Sequence, residues 1–198
     1  GHGLGVKPDI VITKARQRGD SNGFWSVYTT AYDGTLDYFK LNDTNAKADS
    51  SLAAPTTTVF TGAGSGTVAY RSFVAYCFAS KQGYSKFGSY KGNTNANGAF
   101  VYTGFKPAWL MVKRASYTAG DGWYIFDNRR NTSNVTNKIL NASSTGAESS
   151  SAEAVDFLSN GFKLRTALAG SNSGSTYIYM AFAENPFVTS TGTPATAR

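Results

Sequence analysis

Cysteine and histidine are almost missing from this sequence: its 198 residues include one cysteine, Cys77, and one histidine, His2. A single cysteine excludes an internal disulfide framework and a cysteine-based zinc site. A single histidine excludes a histidine metal cluster and argues against nucleophile–histidine triad chemistry. No apolar run approaches the roughly 20 residues that cross a bilayer, so membrane insertion is not expected.

The motifs of common cofactor sites are also missing. The chain has no P-loop, no dinucleotide fingerprint, no Gly-x-Ser-x-Gly elbow and no calcium-loop pattern. Asp and Glu together number only 12, and no two of them stand out as the carboxylate pair that a glycosidase needs. We therefore expect a protein that is not an enzyme and that binds no cofactor and no metal. A calcium site that uses Asp127 or Asp156 is an alternative, and so is a polysaccharide depolymerase.

Charged residues are scarce as well, at 16% against the roughly 25% of an average globular protein. The chain has 12 Tyr, 13 Phe and 21 Gly, a balance that favours β-strands joined by many turns. Its net charge of +7 suits anionic partners such as acidic polysaccharide. Because the basic residues are scattered and match no nucleic-acid signature, we expect no nucleic-acid partner and interpret the charge mainly as an excess of surface lysine.

An internal repeat organises the chain. The segment "GVKPDIVITKAR" at 5–16 returns as "GFKPAWLMVKRA" at 104–115. "FWSVYT" matches "GWYIFD", "KLND" matches "ILNA", and "SFVAYCFA" matches "TYIYMAFA", in the same order and about 100 residues apart. This indicates two diverged repeats of roughly 80–100 residues each, at about 5–80 and 104–184, joined by a bridge at 81–103.

The apolar residues of both repeats recur with the period of two that is typical of a β-strand. Segments 72–79 and 176–183 are apolar on both faces, which predicts two central strands that are covered on both sides. We also expect a hairpin between 86–91 and 98–103, and a short helical turn in "SAEAVDF". The predicted strands lie near 9–14, 23–29, 36–41, 57–61, 68–79, 86–91, 98–103, 108–114, 122–127, 135–140, 154–166 (broken at Asn160-Gly161) and 175–183.

These strands predict an all-β protein, namely an antiparallel β-sandwich in which both repeats share one apolar interior. Residues 1–187 would form a single β-sandwich domain, and 188–198 a Thr-, Ser-, Gly- and Pro-rich tail or linker. Two separate small domains are the alternative. The opening "GHGLGVKP" has no Met, which is typical of a piece of a longer chain or of a processed product.

Comparison of the two repeats separates packing residues from residues of a unique site. Trp25 and Trp123 recur, so both are expected in the core, with an aromatic carbohydrate platform as the alternative. Cys77 aligns with an alanine, which predicts a thiol that fills a small space in the core. Lys14 and Lys113 recur at strand ends, where a solvated ammonium is expected and a ligand contact is the alternative.

The repeats differ most after their tryptophans, where the second one has the polar run "DNRRN". Asn and Arg side chains suit sugar hydroxyls and carboxylates, because arginine donates paired hydrogen bonds, and a nearby tyrosine could stack on a sugar ring. The simpler alternative is an ordinary loop in which Asp127 pairs with Arg129 or Arg130. The candidate ligand-binding residues are Tyr117, Tyr124, Asp127, Asn128, Arg129, Arg130 and Asn131.

The combined motifs resemble a known family. "GFKPAWLMVKRA", "GWYIFDNRR", "ILNASSTGAE", "VDFLSNGFKLRT" and "TYIYMAFAENPF" are similar to a domain of tailed-bacteriophage virion proteins that is common in marine podoviruses. The resemblance covers residues 1–187, including the bridge, and is strongest in the second repeat. The first repeat departs from the family pattern, because "YDGTLDYFKLND" stands where an aspartate-and-arginine stretch is more usual.

The resemblance implies a non-enzymatic structural protein of the virion with a lectin-like or SPRY-like β-sandwich of the jelly-roll kind. Its partners would be other virion proteins, further copies of itself (a trimer or higher homo-oligomer) and host surface polysaccharide. The implied location is the virion, on a tail, fibre or capsid surface, and thus extracellular. Two functions stay open at this point: an appendage or tail-fibre module that contacts host glycan, and a capsid, neck or tail decoration protein that contacts only other virion subunits.

Overall fold

The structure is a computed structural model, and it describes residues 1–16, 23–61, 72–116 and 121–186. Those residues hold no helix, and so none with the length and apolarity to span a lipid bilayer. They form thirteen β-strands: β1 (Ile10–Ala15), β2 (Ser26–Thr29), β3 (Asp37–Lys40), β4 (Ala48–Asp49), β5 (Phe73–Phe78), β6 (Ser85–Lys91), β7 (Phe100–Tyr102), β8 (Pro107–Arg114), β9 (Tyr124–Asp127), β10 (Thr136–Asn141), β11 (Ser149–Leu158), β12 (Gly161–Leu164) and β13 (Thr176–Ala183).

The strands build two antiparallel sheets. Five strands in the order β4-β3-β2-β1-β5 form the smaller sheet, and eight strands in the order β6-β13-β8-β9-β10-β11-β12-β7 form the larger sheet. Every pair of neighbours is antiparallel. The prediction of an all-β, antiparallel protein is therefore confirmed.

An apolar core lies between the two sheets, because each strand turns alternate side chains toward it. Trp123 is fully buried in this core, where its ring meets that of Phe39 edge-on at 5.8 Å and its indole N–H donates to the Lys40 carbonyl at 2.9 Å. Trp25 is only half-buried and stacks on Tyr76. The other core residues come from both sheets: Ile10, Ile12 and Val27 from the smaller, and Phe87, Met111, Ile178 and Met180 from the larger.

The larger sheet curls around a second core on its opposite face, which gives it a nearly barrel-like shape. Strands from both ends of the sheet order and from its middle contribute to this one cluster: Tyr90, Val101, Leu110, Val112, Phe126, Val155, Phe157, Phe162, Leu164, Tyr177 and Tyr179. The rings of Tyr90 on β6 and Phe162 on β12 meet edge-on at 5.9 Å. The curl therefore brings the two ends of the sheet close together.

The outer face of the smaller sheet carries a third, minor cluster. Val11, Tyr28 and Leu36 are buried there, with Leu52 and Phe60 packed against them. Residues 57–61, predicted as a strand, are instead part of the irregular segment that covers this face. Cys77 also packs against this cluster and is half-buried, so its predicted place in a core is only partly reached.

The prediction that both 72–79 and 176–183 lie centrally is right for one segment and wrong for the other. β13 lies between β6 and β8, and its residues from Tyr177 to Ala181 are all buried. β5 pairs only with β1 among the described strands, so it lies at the end of the smaller sheet. Phe73 and Tyr76 of β5 are accordingly 40% and 47% exposed. Residues 68–71 of the predicted strand lie outside the described part of the chain.

The expected hairpin between 86–91 and 98–103 does not form. β6 pairs with β13, and β7 pairs with β12, at the two ends of the larger sheet. The turn between them is held by buried Asn172, whose Nδ2 donates to the Asn93 Oδ1 at 3.0 Å and to the Asn95 carbonyl at 2.8 Å. A side-chain amide from a distant loop thus replaces the strand pairing that the sequence suggested.

The expected helical turn in "SAEAVDF" is also wrong, because these residues belong to β11. Val155 and Phe157 point into the core of the larger sheet, so burial on alternate positions decides the structure. The short strand β4 was not predicted, since two residues carry no detectable period. The proposed tail at 188–198 lies outside the described residues.

Candidate functional site

The polar run "DNRRN" forms the turn that follows β9. Asp127 shapes this turn: its Oδ1 accepts hydrogen bonds from the backbone N–H groups of Arg129 at 2.9 Å and Arg130 at 2.8 Å. Its Oδ2 accepts a third from Arg130 Nε at 2.5 Å. Arg130 Nη2 in turn donates to the Ile125 carbonyl at 2.9 Å. Asp127 and Arg130 are therefore paired with each other, as expected for an ordinary polar turn.

The same contacts set the charge of Asp127. Partial burial by itself would raise its pKa, but the hydrogen bonds from Arg130 and from the Arg129 backbone outweigh burial and lower the pKa below its usual value. The carboxylate is thus charged at neutral pH and is paired with Arg130 Nε, whereas Arg130 Nη1 is buried without a hydrogen-bond partner in the described part of the chain. An incoming anionic ligand would have to displace this pair before it could use Arg130.

Two asparagines fix the chain that follows. Asn131 Oδ1 accepts hydrogen bonds from the backbone N–H groups of Asn137 at 3.1 Å and Lys138 at 2.7 Å. The side-chain amide of Asn134 bonds to the Phe157 backbone as a paired strand would: its Nδ2 donates to the Phe157 carbonyl at 3.0 Å, and its Oδ1 accepts from the Phe157 N–H at 2.9 Å. The loop before β10 is therefore held firmly against β10 and β11.

An open cleft of about 220 Å³ lies beside this turn, and we call it the Asn128 cleft. Three of the seven predicted residues, Asn128, Arg129 and Asn131, line it. Amide and hydroxyl groups dominate the whole lining, which consists of Lys106, Asn128, Arg129, Asn131, Thr132, Ser133, Asn134, Thr136, Phe157 and Glu184. Such a mixture of donors and acceptors suits a hydroxyl-rich ligand.

The side chains of the Asn128 cleft differ in how far they are already engaged. Asn128 Nδ2 donates to Glu184 Oε1 at 2.7 Å, and Glu184 Oε2 lies 2.8 Å from the Lys106 ammonium. Arg129 is exposed, and its guanidinium has no polar partner among the described residues. The cleft therefore offers one free positive charge, the free Oδ1 of Asn128 and nearby hydroxyls.

Of the two predicted tyrosines, Tyr124 does not line this cleft. Tyr124 lies at the start of β9, where a Cβ on Gly170 would come within 2.6 Å of its ring. Because side chains alternate along a strand, Tyr124 points toward the core of the larger sheet and Asp127 points away from it. Burial raises the pKa of Tyr124 above its ordinary value. Tyr117 lies outside the described residues.

A second cleft lies where the sequence indicated no site, and we call it the Tyr102 cleft. It has a volume of about 340 Å³ and is lined by Ser80, Lys81, Gln82, Ser85, Lys86, Tyr102, Thr103 and Gly104. These residues come from the turn before β6 and the start of β6, and from the end of β7 and the residues that follow it, and the curl of the larger sheet brings the two groups together. Sequence reasoning treated 81–103 as a bridge and missed the site. The available signal was the alternation in "FVY" at 100–102, which places Phe100 and Tyr102 on one face of a strand, and the structure shows both side chains exposed.

Lys113 is buried, so the prediction of a solvated ammonium is wrong. Its Nζ donates to the carbonyls of Thr44 at 3.0 Å and Asp121 at 2.5 Å. Burial lowers its pKa to about 8. Lys14, which holds the matching position in the first repeat, is partly exposed and donates to the Gly23 carbonyl. The difference arises because the chain near Thr44 crosses over Lys113.

Glu153 is a second buried ionisable group. Its Oε1 accepts a hydrogen bond from the Gly170 N–H at 2.9 Å, and its Oε2 accepts one from the Ser171 hydroxyl. Tyr90, also buried, donates to the Ser171 carbonyl at 2.7 Å. Burial raises the pKa of Glu153 above its ordinary value. These contacts pin the loop before β13 onto the core of the larger sheet.

The carboxylates that the sequence suggested for calcium are both engaged elsewhere. Asp127 belongs to the turn described above, and Asp156 lies 3.2 Å from Arg165. Within the described ranges, no group of three or more His, Cys, Asp or Glu side chains is arranged to hold a metal ion.

Comparison with known proteins gives a family but no relative with an assigned activity. Neither a curated protein nor a solved structure matches the chain. A domain of unknown function, DUF7483, matches residues 1–186. This match spans both sheets and both clefts, so the chain belongs to the DUF7483 family.

Proposed function

We propose that this chain is a non-enzymatic structural module of a bacteriophage virion, of the appendage or tail-fibre type, and that it contacts host surface glycan through the Asn128 cleft. The resemblance of the repeat motifs to tailed-phage virion proteins supports the virion assignment. The observation that carries glycan contact is the lining of the cleft, which is rich in amides and hydroxyls and includes the unpaired guanidinium of Arg129. The module would be extracellular, on the particle surface, and would assemble with other virion proteins as a trimer or higher homo-oligomer.

We propose binding without hydrolysis because the described lining of the Asn128 cleft includes one carboxylate and not a pair. Cleavage of a glycosidic bond generally uses two carboxyl groups that face each other across the sugar. Among the described residues that line the Asn128 cleft, Glu184 is the one carboxylate, and both of its oxygens are engaged by Asn128 and Lys106.

The proposal includes a lectin-like or SPRY-like β-sandwich of the jelly-roll kind, built from two diverged copies of one unit. The order of the strands supports the two copies. β5-β1-β2-β3 is one run of neighbours, and β13-β8-β9-β10 is another. Along the chain the strands of the first run come in the order β1, β2, β3, β5, and their counterparts in the second run come in the order β8, β9, β10, β13. The four pairs of counterparts carry the four pairs of matching sequence motifs.

The register of the strands supports the same idea at the level of single residues. Ile12 pairs with Val27 on one side and Tyr76 on the other. Its sequence counterpart, Met111, pairs with Ile125 and Met180 in the same way. The lysine contacts follow the same pattern. Lys14 donates to the carbonyl of Gly23, two residues before Trp25. Lys113 donates to the carbonyl of Asp121, two residues before Trp123.

A glycan array of bacterial surface polysaccharides, probed with the purified chain, tests the proposed contact. We expect binding that is lost in Arg129→Ala and Asn128→Ala. Arg16→Ala is the matched control, because it removes another exposed arginine, which directly follows β1, and should bind like the wild type. Binding to none of the bacterial glycans, or equal loss in the Arg16→Ala control, would contradict glycan contact at this cleft.

A decoration protein of the capsid, neck or tail, in contact only with other virion subunits, is the second candidate. The observation that favours it is the pair of exposed aromatics, Phe73 and Tyr76, on the terminal strand β5, since such residues suit a protein interface. The position of the chain in a map of the whole particle separates the candidates. A chain that is wedged between subunits, with the Asn128 cleft covered, would favour decoration.

A further inference from the structure

We propose that the Tyr102 cleft is a binding site for an acidic saccharide, with the sugar ring on Tyr102 and the carboxylate of the ligand between Lys81 and Lys86. This inference deepens the proposed function, on which it rests for the kind of ligand, but it uses a separate surface. The residues that line the Tyr102 cleft do not overlap with those of the Asn128 cleft. Its volume of about 340 Å³ also falls in the range of small-molecule sites, roughly 300–1,000 Å³.

The charge of the Tyr102 cleft selects for an anion. Lys81 and Lys86 both line it and both are exposed. Neither is within ion-pairing distance of a carboxylate in the described part of the chain. The carboxylate of Asp9 is near the cleft but does not line it, and its Oδ2 accepts a hydrogen bond from the Ser80 N–H at 2.6 Å. Two unpaired ammonium groups in one concave site raise the local concentration of anionic ligands.

An exposed aromatic ring selects for a ligand that also has a flat apolar face. Tyr102 is 65% exposed, the largest exposure among the exposed large hydrophobic residues of the described chain. Gly104 has a positive φ of 84°, and a Cβ there would lie 3.6 Å from the Tyr102 hydroxyl. The chain thus turns back beside the ring without covering it. The C–H face of a sugar ring is a suitable partner for such a surface, since the aromatic ring is apolar with a negative face.

The wall of the cleft is already ordered before any ligand arrives. Ser85 Oγ donates to the Ala79 carbonyl at 3.1 Å, and Ser80 Oγ accepts from the Phe87 N–H at 3.2 Å. Thr103 Oγ1 donates to the Phe105 carbonyl at 2.7 Å. By contrast, no hydrogen bond joins the side chains of Lys81, Gln82, Lys86 or Tyr102 to another described residue. A rigid wall with free recognition groups lowers the entropy lost on binding.

Isothermal titration of the full chain with oligomers of galacturonate, mannuronate and sialic acid tests the inference, with a galactose oligomer as the neutral control. We expect at least one acidic oligomer to bind more tightly than the neutral one, and to bind more weakly at high salt. Tyr102→Ala should weaken that binding by severalfold to about tenfold, as expected for the loss of a stacking partner. Lys86→Gln should weaken it severalfold, and Tyr102→Phe should retain it.

Matched controls exist on the same two strands. Phe100→Ala removes the other exposed aromatic from the same face of β7, and Lys91→Gln removes an exposed lysine from the far end of β6. Neither residue lines the cleft, so neither change should alter the affinity. Absence of binding by all three acidic oligomers, or equal binding of the neutral one, would overturn the inference. Binding that is lost in Arg129→Ala but kept in Tyr102→Ala would also overturn it and leave the proposed function standing.

Discussion

Lys113→Met is the substitution that most directly tests the way the two sheets pack. It removes the buried ammonium but keeps a long apolar side chain of similar reach. The wild-type ammonium donates to the carbonyls of Thr44 and Asp121, and these two segments pack over it. If the sheets pack as described, this lysine should carry a clear pH dependence of stability.

The sign and size of that dependence follow from the pKa. Burial lowers the pKa of Lys113 to about 8 in the folded protein, whereas an unfolded chain has a lysine pKa of about 10.4. Between these values the unfolded chain holds more protons, so the free energy of unfolding rises with pH. From pH 7 to pH 10, the gain from this single group is about 2.5 kcal/mol.

Urea unfolding of both proteins, followed by tryptophan fluorescence at half-unit steps from pH 7 to pH 10, measures this gain. The stability difference between wild type and Lys113→Met should shift by about 2.5 kcal/mol in favour of the wild type. All other titrating groups are common to both proteins and cancel. Lys14→Met is the matched control for loss of a strand-end lysine, because it removes the corresponding residue of the first repeat, whose side chain is partly exposed. A wild-type minus Lys113→Met difference that stays constant within about 0.5 kcal/mol would refute the reasoning.

Two further substitutions test other contacts. Trp123→Phe removes the hydrogen bond to the Lys40 carbonyl that joins the sheets and should lower the free energy of unfolding in urea by about 2–3 kcal/mol. Trp25→Phe, at the half-buried counterpart, should lower it by less than half as much. Equal losses in the two variants would contradict the difference in burial. Glu153→Gln removes a buried acid whose pKa is raised. Because the folded protein holds the Glu153 proton more tightly than the unfolded chain does, this group contributes its full stabilisation below the unfolded pKa of about 4.3. The contribution is lost as the pH rises through the pKa of the folded protein. Thermal unfolding by circular dichroism at pH 4 and pH 7 should therefore show wild type losing stability relative to the variant, and a gain would contradict it.

The strands of the two repeats could be predicted because their side chains alternate or are apolar throughout. β8 and β13 are near-continuous apolar runs, and both have a neighbouring strand on each side in the larger sheet, where buried strands belong. Their period depends only on the local chain, so the sequence alone contains the signal.

Sheet order could not be predicted in the same way. The repeats made β5 and β13 equivalent, yet β13 gains β6 as a second neighbour and β5 gains none among the described strands. That difference depends on the bridge, whose strands pair with β12 and β13 rather than with each other. A pattern of period two identifies a strand but does not name its partner.

In the candidate sites, too, contacts between sequence neighbours could be predicted and contacts between distant residues could not. Residues next to each other in the sequence, such as Asp127 and Arg130, were correctly grouped, because a turn keeps its own residues together. Phe157 on β11 and Glu184 just after β13 reach the Asn128 cleft from distant parts of the chain, and Lys113 is covered by the loop between β3 and β4. No local pattern encodes contacts of this range, so they became visible only in three dimensions.

The position of β13 has a consequence for biosynthesis. It is the last described strand along the chain, yet in the larger sheet it lies between β6 and β8 and pairs with both. Residues 176–182 must therefore emerge from the ribosome before β6 can pair with any of the described strands and before the curled sheet can close. Such distant pairings make folding slow, and a nascent chain halted before β13 would present aromatic strand edges of the kind that aggregate.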